Sequence, residues 1–493
     1  MKRRLRSEEG FTLAFALLTL VVSSAVLVSV AQFTSSNARD SSRSKGAQTA
    51  YALAEAGINN AMAVISNPTN NALVSTTLPS SYAFAAANAS YYRAYEGGTS
   101  YWWGTLDANT GIWTIYGKGV VKNPTGPTAA DVTRTLSAKT QVVATYSQPL
   151  NAQAWNYVYS TKTGDPDGCD VALANSVAIS SSLYIAGNLC LANTASIVVG
   201  TDPVNVVVQG RIDQSTSSNT IGTNAANLNS ISVRNGCRWN SSGAFQSPCV
   251  AATHKTYATT LSSAPTVITP PAADFASWYT NATIGPKSPC TTTTGTPPTF
   301  ESAGSTTMNN SVTPSVNLTP SASYTCTTTY GELSWNNTTK LLTVKGVIFI
   351  DGSAYISNGS VNQYNGQASL YLSGTFMISG TAQLCAAIAS GNCNFGGWNP
   401  NTEMLMIVAN GGTTGTNSIE IANSARIEAG LFATNNLEIH NSAQAEGPMI
   451  GAEVKFSNST QIKSFPVINT VPAGTPGNPN VFAEPQPPYG FTG

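Results

Sequence analysis

Eight cysteines are the residues best equipped for chemistry in this chain of 493 residues. They are Cys169, Cys190, Cys237, Cys249, Cys290, Cys326, Cys385 and Cys393, and no two stand in a CxxC spacing. A zinc cluster or dithiol redox centre is therefore not indicated. An even number in an exported chain reads as a disulfide framework. The economical pairing joins neighbours, Cys169–Cys190, Cys237–Cys249, Cys290–Cys326 and Cys385–Cys393; a set of unpaired buried thiols is the alternative. Asp165, Asp167 and Asp170 lie in Gly164-Asp-Pro-Asp-Gly-Cys-Asp170. Hard oxygen donors on such a turn suit Ca²⁺, but the later Glu of an EF-hand is missing, and a polar turn tied down by Cys169 is the plainer reading. No other cofactor is expected. His254 and His440 have no Cys or His at ligand spacing. Glu420 and Glu438 are 18 positions apart, as are Glu428 and Glu446. Carboxylates about 5 Å apart suit retaining glycoside hydrolysis. Successive coils of a solenoid, however, place any column of side chains at about that spacing. The expectation is thus a solvated acidic stripe and no enzyme. No GxSxG, Walker A or dinucleotide fingerprint is present.

The elements that must hold these residues are short. Charged residues make up only 9% of the chain, and 41 glycines accompany abundant Asn, Ser and Thr, a composition of many strands and turns. The net charge is zero, but residues 1–50 hold seven Lys/Arg and three Asp/Glu, leaving 16 and 20 in the remainder. No basic face for nucleic acid is expected.

Lys2, Arg3, Arg4 and Arg6 precede a stretch, Phe11 to Ala38, without a charge. About 20 apolar residues in a helix span the hydrocarbon of a bilayer. The cationic start keeps the N-terminus cytoplasmic and sends the rest outward. A cleaved signal ending at Ser29-Val30-Ala31 and a plain signal anchor are two readings of this segment. Ala47, Ala50, Tyr51, Ala54, Ile58, Ala61, Met62 and Ile65 continue a helical period, and Asn67-Pro68 stops it. The helix is expected from about Thr12 to Ser66, loosened near Ser35–Ser44.

Gly10-Phe11-Thr12-Leu13, behind a short basic leader, resembles the prepilin peptidase site of type IV pilins. Ala50-Tyr-Ala-Leu-Ala-Glu-Ala-Gly-Ile-Asn59 resembles the AEAG segment of PilX-type minor pilins. The resemblance covers about the first 66 residues. It implies cleavage between Gly10 and Phe11, methylation of Phe11, and packing of Phe11, Leu13, Phe15, Leu17 and Leu20 in a filament core. Pilins usually carry Glu at the fifth mature position, where this chain has Phe15. That departure fits a tip or low-abundance subunit better than a repeating one. The implied partners are prepilin peptidase, other pilin subunits, inner-membrane pilus assembly proteins and the membrane itself. The implied location is the cell membrane, by a single pass, and then an extracellular pilus.

Beyond the helix, Tyr101–Leu106 and Ile112–Tyr116 flank an Asp/Asn/Gly turn and read as a hairpin. The aromatics Tyr91, Tyr92, Tyr95, Tyr101, Trp102 and Trp103 suit packing of sheet on helix, with a carbohydrate-stacking face as the alternative. From about residue 170 a motif recurs. Asn175-Ser-Val-Ala-Ile179 returns as Asn193-Thr-Ala-Ser-Ile197, and later as Asn423-Ser-Ala-Arg-Ile427, Asn441-Ser-Ala-Gln-Ala445 and Asn458-Ser-Thr-Gln-Ile462. A period near 18 with short strands suggests the coil of a β-solenoid with Asn and Ser ladders at its corners.

The fold expected is mainly β: a long N-terminal spine helix, a small antiparallel head, and a β-solenoid with a disulfide-stapled insertion. The divisions are a leader over 1–10, the spine over 11–66, the head over 67–148, solenoid over 149–235, a Cys/Thr/Pro-rich insertion over 236–345, more solenoid over 346–468, and a Pro/Gly-rich tail over 469–493, read as a meander or a disordered end. The insertion is either a binding loop or a bridge between coil blocks. The function expected is display of the solenoid by a minor pilin for adhesion to a surface, a glycan or a cell. The alternative is a membrane-anchored β-helix protein that binds or degrades polysaccharide.

Overall fold

The computed structural model describes residues 5–67, 70, 72, 75–107, 111–123, 130–146, 153–165, 168–282, 290–292, 298, 307–308, 315–328, 330–357, 359–412, 416–477 and 481–493. It separates into two compact units, one of residues 1–143 with 483–493 and one of residues 144–482.

In the first unit, α1 (Leu5–Ile65) is one continuous helix. The loosening expected near Ser35–Ser44 is absent. Hydroxyls that would compete for the backbone instead bond back to it: Thr34 donates to the Val30 carbonyl, and Thr49 donates to the Lys45 carbonyl at 3.0 Å. Four antiparallel strands form a sheet, β1 (Tyr92–Tyr95), β2 (Gly98–Asp107), β3 (Ile112–Val121) and β4 (Val132–Tyr146), which packs on the C-terminal half of α1 through β2 and β3. Along β3 burial alternates, with Trp113, Ile115, Gly117 and Gly119 facing α1, as period-2 patterning requires. The tail does not end as a meander. Tyr489–Thr492 pairs with β4 through Ser137–Thr492 and Lys139–Tyr489, and Val481–Pro485 adds to the same strand. Thr140 reinforces this with a 2.6 Å bond to the Gln486 carbonyl.

The second unit is a parallel β-solenoid. Each coil contributes three short strands, and equivalent strands pair in register from coil to coil. The two blocks of coils do not stack in chain order. Winding starts in the middle, at Val158–Ser160, and proceeds through Leu183–Ile185, Asn205–Val208 and Leu228–Val233 to Ala258–Ser262. The second block starts at Leu341–Ile350 and proceeds through Gln367–Leu372, Met404–Ala409 and Gly430–Ala433 to Met449–Gly451. That last coil lies against the first. Met449 pairs with Val158, Phe456 with Leu173, and Ile462 with Ile179. The repeat motifs make the seam visible. Asn441 donates to Asn423, Asn458 to Asn441, Asn175 to Asn458 and Asn193 to Asn175, at 3.0–3.1 Å. All five asparagines, and the Ser or Thr after each, have positive φ, a conformation Asn adopts more readily than most residues.

Residues 263–282 carry the chain back across the seam, over the outer face of the sheet that contains Val158–Ser160. Gln209 donates to the Thr266 carbonyl at 2.8 Å, and Tyr159 to the Ile268 carbonyl at 2.6 Å. Further along, Phe275 meets the Tyr371 ring edge-on at 5.2 Å and Tyr279 meets Phe349 at 5.5 Å. Residues 474–477 lie beside this strap: the Tyr371 hydroxyl donates to the Gly474 carbonyl at 2.6 Å, and the Gly477 N–H to the Ala272 carbonyl at 2.9 Å. The sheet is thus buried on both faces, which explains its unbroken apolar runs such as Val347-Ile-Phe-Ile350. The 11-stranded sheet opposite alternates buried and exposed residues instead. At the Leu341–Ile350 end the antiparallel strands Tyr324–Thr327 and Gly331–Asn336 cap the stack. Every cysteine is bonded to its neighbour in sequence: Cys169–Cys190, Cys237–Cys249, Cys290–Cys326 and Cys385–Cys393.

Candidate functional site

The N-terminal half of α1 is a continuous exposed apolar surface. From Phe11 to Lys45 every residue is exposed, including the apolar side chains of Phe11, Leu13, Phe15, Leu17 and Leu20, the last at 67%. Residues 11–33 would rise about 34 Å as a helix, enough for a bilayer core. Gly10 lies in the helix just before this segment. The helix is long and apolar enough to cross a membrane. So wide an apolar surface needs a cover of lipid or of other apolar helices.

The C-terminal half of α1 is fixed by close backbone approach. Its buried face is Gly46, Ala50, Leu53, Ala54, Gly57, Ile58, Ala61 and Ile65. This differs from the expected face at Tyr51, which is 48% exposed. Small residues on the helix meet glycines on β3. A Cβ built on Gly117 would lie 2.0 Å from the Ala54 carbonyl oxygen, and one on Gly119 would lie 2.0 Å from that of Ala50. Ser100 donates to the Leu53 carbonyl at 2.7 Å across the same contact. The strand sequence Gly117-Lys-Gly119 carried this signal, because glycine inside a strand marks an approaching backbone.

The aromatic cluster divides between the two faces of the sheet. Trp102 is buried toward α1, whereas Tyr92 and Tyr95 are exposed. On the outer face Trp103 and Tyr116 stack at 5.3 Å, and the Lys118 ammonium lies 3.8 Å from the Tyr82 ring centre.

The turn proposed for calcium is held by other partners. Both Asp170 oxygens accept backbone N–H groups, Oδ1 from Asp165 at 2.8 Å and Oδ2 from Asn188 at 2.7 Å. Asp165 pairs with Lys162 at 2.8 Å. Asp167 lies outside the described residues. The described donors therefore do not form an open oxygen cage. His254 is buried, and its Nδ1 accepts the Val250 N–H at 2.7 Å.

The acidic residues split in two. Glu420 and Glu438 pair in register on the outward face of the 11-stranded sheet, with His440 3.1 Å from Glu420 and Asn417 2.7 Å from Glu438. Glu428 and Glu446 also pair in register but are fully buried, contrary to a solvated stripe. Burial pushes the Glu428 carboxyl up to about 8, with the Glu446 charge adding to it and the Ala387 N–H opposing it. Burial likewise pushes Glu446 up to about 7, against the Gly396 N–H and Lys463. Sequence spacing places both pairs in columns but does not distinguish the outward column from one that a loop covers.

No protein-family model and no curated protein matches this chain. Among solved structures, it is similar to the competence-associated pilin ComZ from Thermus thermophilus. That likeness covers 80% of this chain and 83% of ComZ, at 14% sequence identity and a TM-score of 0.39.

Proposed function

We propose that this chain is a non-enzymatic, PilX-like minor pilin, cut between Gly10 and Phe11 by prepilin peptidase and methylated at Phe11. The uncharged stretch of α1 holds it in the cell membrane as a single pass. It then packs through Phe11, Leu13, Phe15, Leu17 and Leu20 among the helices of other pilins. The solenoid is the displayed part, presented for adhesion to a surface, a glycan or another cell. The observation that carries this reading is the exposure of α1 from Phe11 to Lys45, in a helix whose other half is locked into a folded head. The subunit sits at or near a filament tip, a reading supported by Phe15 standing where pilins usually carry Glu.

A Leu20→Asp/Val22→Asp variant tests it. Each charge at the centre of a membrane span costs about 3 kcal/mol, so membrane and filament fractions should lose nearly all of the variant. The wild type should appear in both the membrane pellet and the sheared filaments. Wild type confined to the membrane would mean a plain anchor, and a variant that fractionates like wild type would overturn the role of the helix.

A further inference from the structure

Glu428 and Glu446 are roofed by one excursion of the chain, residues 386–403, between strands Gln383–Cys385 and Met404–Ala409. It is tied at its root by Cys385–Cys393 and touches both carboxyls. The Ala387 N–H donates to Glu428 Oε2 at 2.8 Å, and the Gly396 N–H donates to Glu446 Oε2 at 2.9 Å. Trp398 closes the roof. It is 3% exposed, its indole N–H donates to the Glu403 carbonyl at 2.6 Å, and its ring lies against Gly447. Oε1 of each glutamate is buried without a hydrogen-bond partner. An ionised oxygen in that state is costly, and a protonated carboxyl is much less so. The two groups are about 4.8 Å apart by strand spacing, so ionising both also sets like charges side by side.

The surrounding charges do not cancel this. Glu403 and the Tyr364 phenol face Glu428. Asp202 and Lys463 face Glu446, and Lys463 stands next in the column. Lys463 in turn faces Arg426, donates to Gln461 at 2.6 Å, and lies 5.9 Å from the Phe395 ring of the roof. Its single positive charge serves Glu446 and leaves Glu428 among acids.

We propose that residues 386–403 form a proton-latched cover. With both carboxyls protonated it stays closed; loss of those protons places two negative charges beneath it and releases it. Opening exposes Trp398 and the polar column Glu428–Glu446–Lys463 on the flank of the displayed solenoid. The closed form binds these protons more tightly than the open one, in which the carboxyls return to ordinary values. Closure is therefore favoured in acid and weakens as pH rises through about 7 for Glu446 and about 8 for Glu428.

Hydrogen exchange of the detergent-solubilised full chain, corrected for the intrinsic pH dependence of exchange, tests the latch. Between pH 6 and pH 9 the amides of residues 386–403 should lose at least about tenfold in protection. Those of Met404–Ala409 should not change. Glu428→Gln/Glu446→Gln keeps the side-chain oxygens that accept from the loop, and it should abolish the pH response. Should that double variant fail to fold, Glu446→Gln alone should leave one transition, that of Glu428, moved to lower pH by the loss of the neighbouring Glu446 charge. Equal protection of wild type at both pH values would overturn the proposal, as would an unchanged response in either variant.

Discussion

A Gly117→Val substitution should lift α1 from the head sheet and lower the unfolding temperature of the first unit by about 10 °C. The added side chain would have to occupy space held by the Ala54 carbonyl oxygen and the Ile58 nitrogen, 2.0 and 2.8 Å from an ideal Cβ. These are helix backbone atoms, so no rotamer change relieves the clash. Overpacking of this kind costs about 3 kcal/mol, and in a unit of this size each kcal/mol moves the transition by roughly 3 °C. Lys118→Ala is the control. Lys118 points to the other face, where its ammonium lies over Tyr82, and its loss should cost about 1 kcal/mol or less. Calorimetry of the two variants decides the matter: equal and small shifts would mean that α1 does not depend on this backbone contact.

An Ile462→Asp substitution should unlock the solenoid on both sides of its seam. Ile462 and Ile179 are buried partners in adjoining coils, in segments whose ladder asparagines stand 283 positions apart in sequence. A carboxylate placed there has no partner and costs about 4 kcal/mol, whereas Ile462→Val should cost about 1 kcal/mol. Hydrogen exchange should show lost protection at Val158–Ile179 as well as at Met449–Lys463. Loss confined to the second segment would contradict the stacking of the last coil on the first.

That stacking marks the limit of what the sequence discloses. The Asn-Ser corners at Asn175, Asn193, Asn423, Asn441 and Asn458 are legible because these five coils turn there through two successive left-handed residues. The order of the coils is not legible. A parallel rung accepts any neighbour with the same register, so the motif at Asn458 is as compatible with Asn175 as with a later coil. The path is decided by the strap over residues 263–282, whose Phe275 and Tyr279 fill the outer face beside Tyr371 and Phe349. Those contacts follow no period. The spine helix was legible because an uncharged run longer than 20 residues has few other uses. Its seating was less so: Tyr51 fits the apolar stripe by type, but the glycines of β3 admit only residues as small as Ala50 and Ala54. The buried acids were hidden for a similar reason, since the roof over Glu428 and Glu446 is an irregular excursion between two regular strands.

The state of the mature N-terminus separates a pilin from a simple membrane anchor most directly. Mass spectrometry of the protein purified from membranes and from sheared filaments should find a chain that begins at Phe11 and carries an N-methyl group. A mature chain that retains residues before Phe11, in either fraction, would contradict prepilin processing and make α1 a simple membrane anchor.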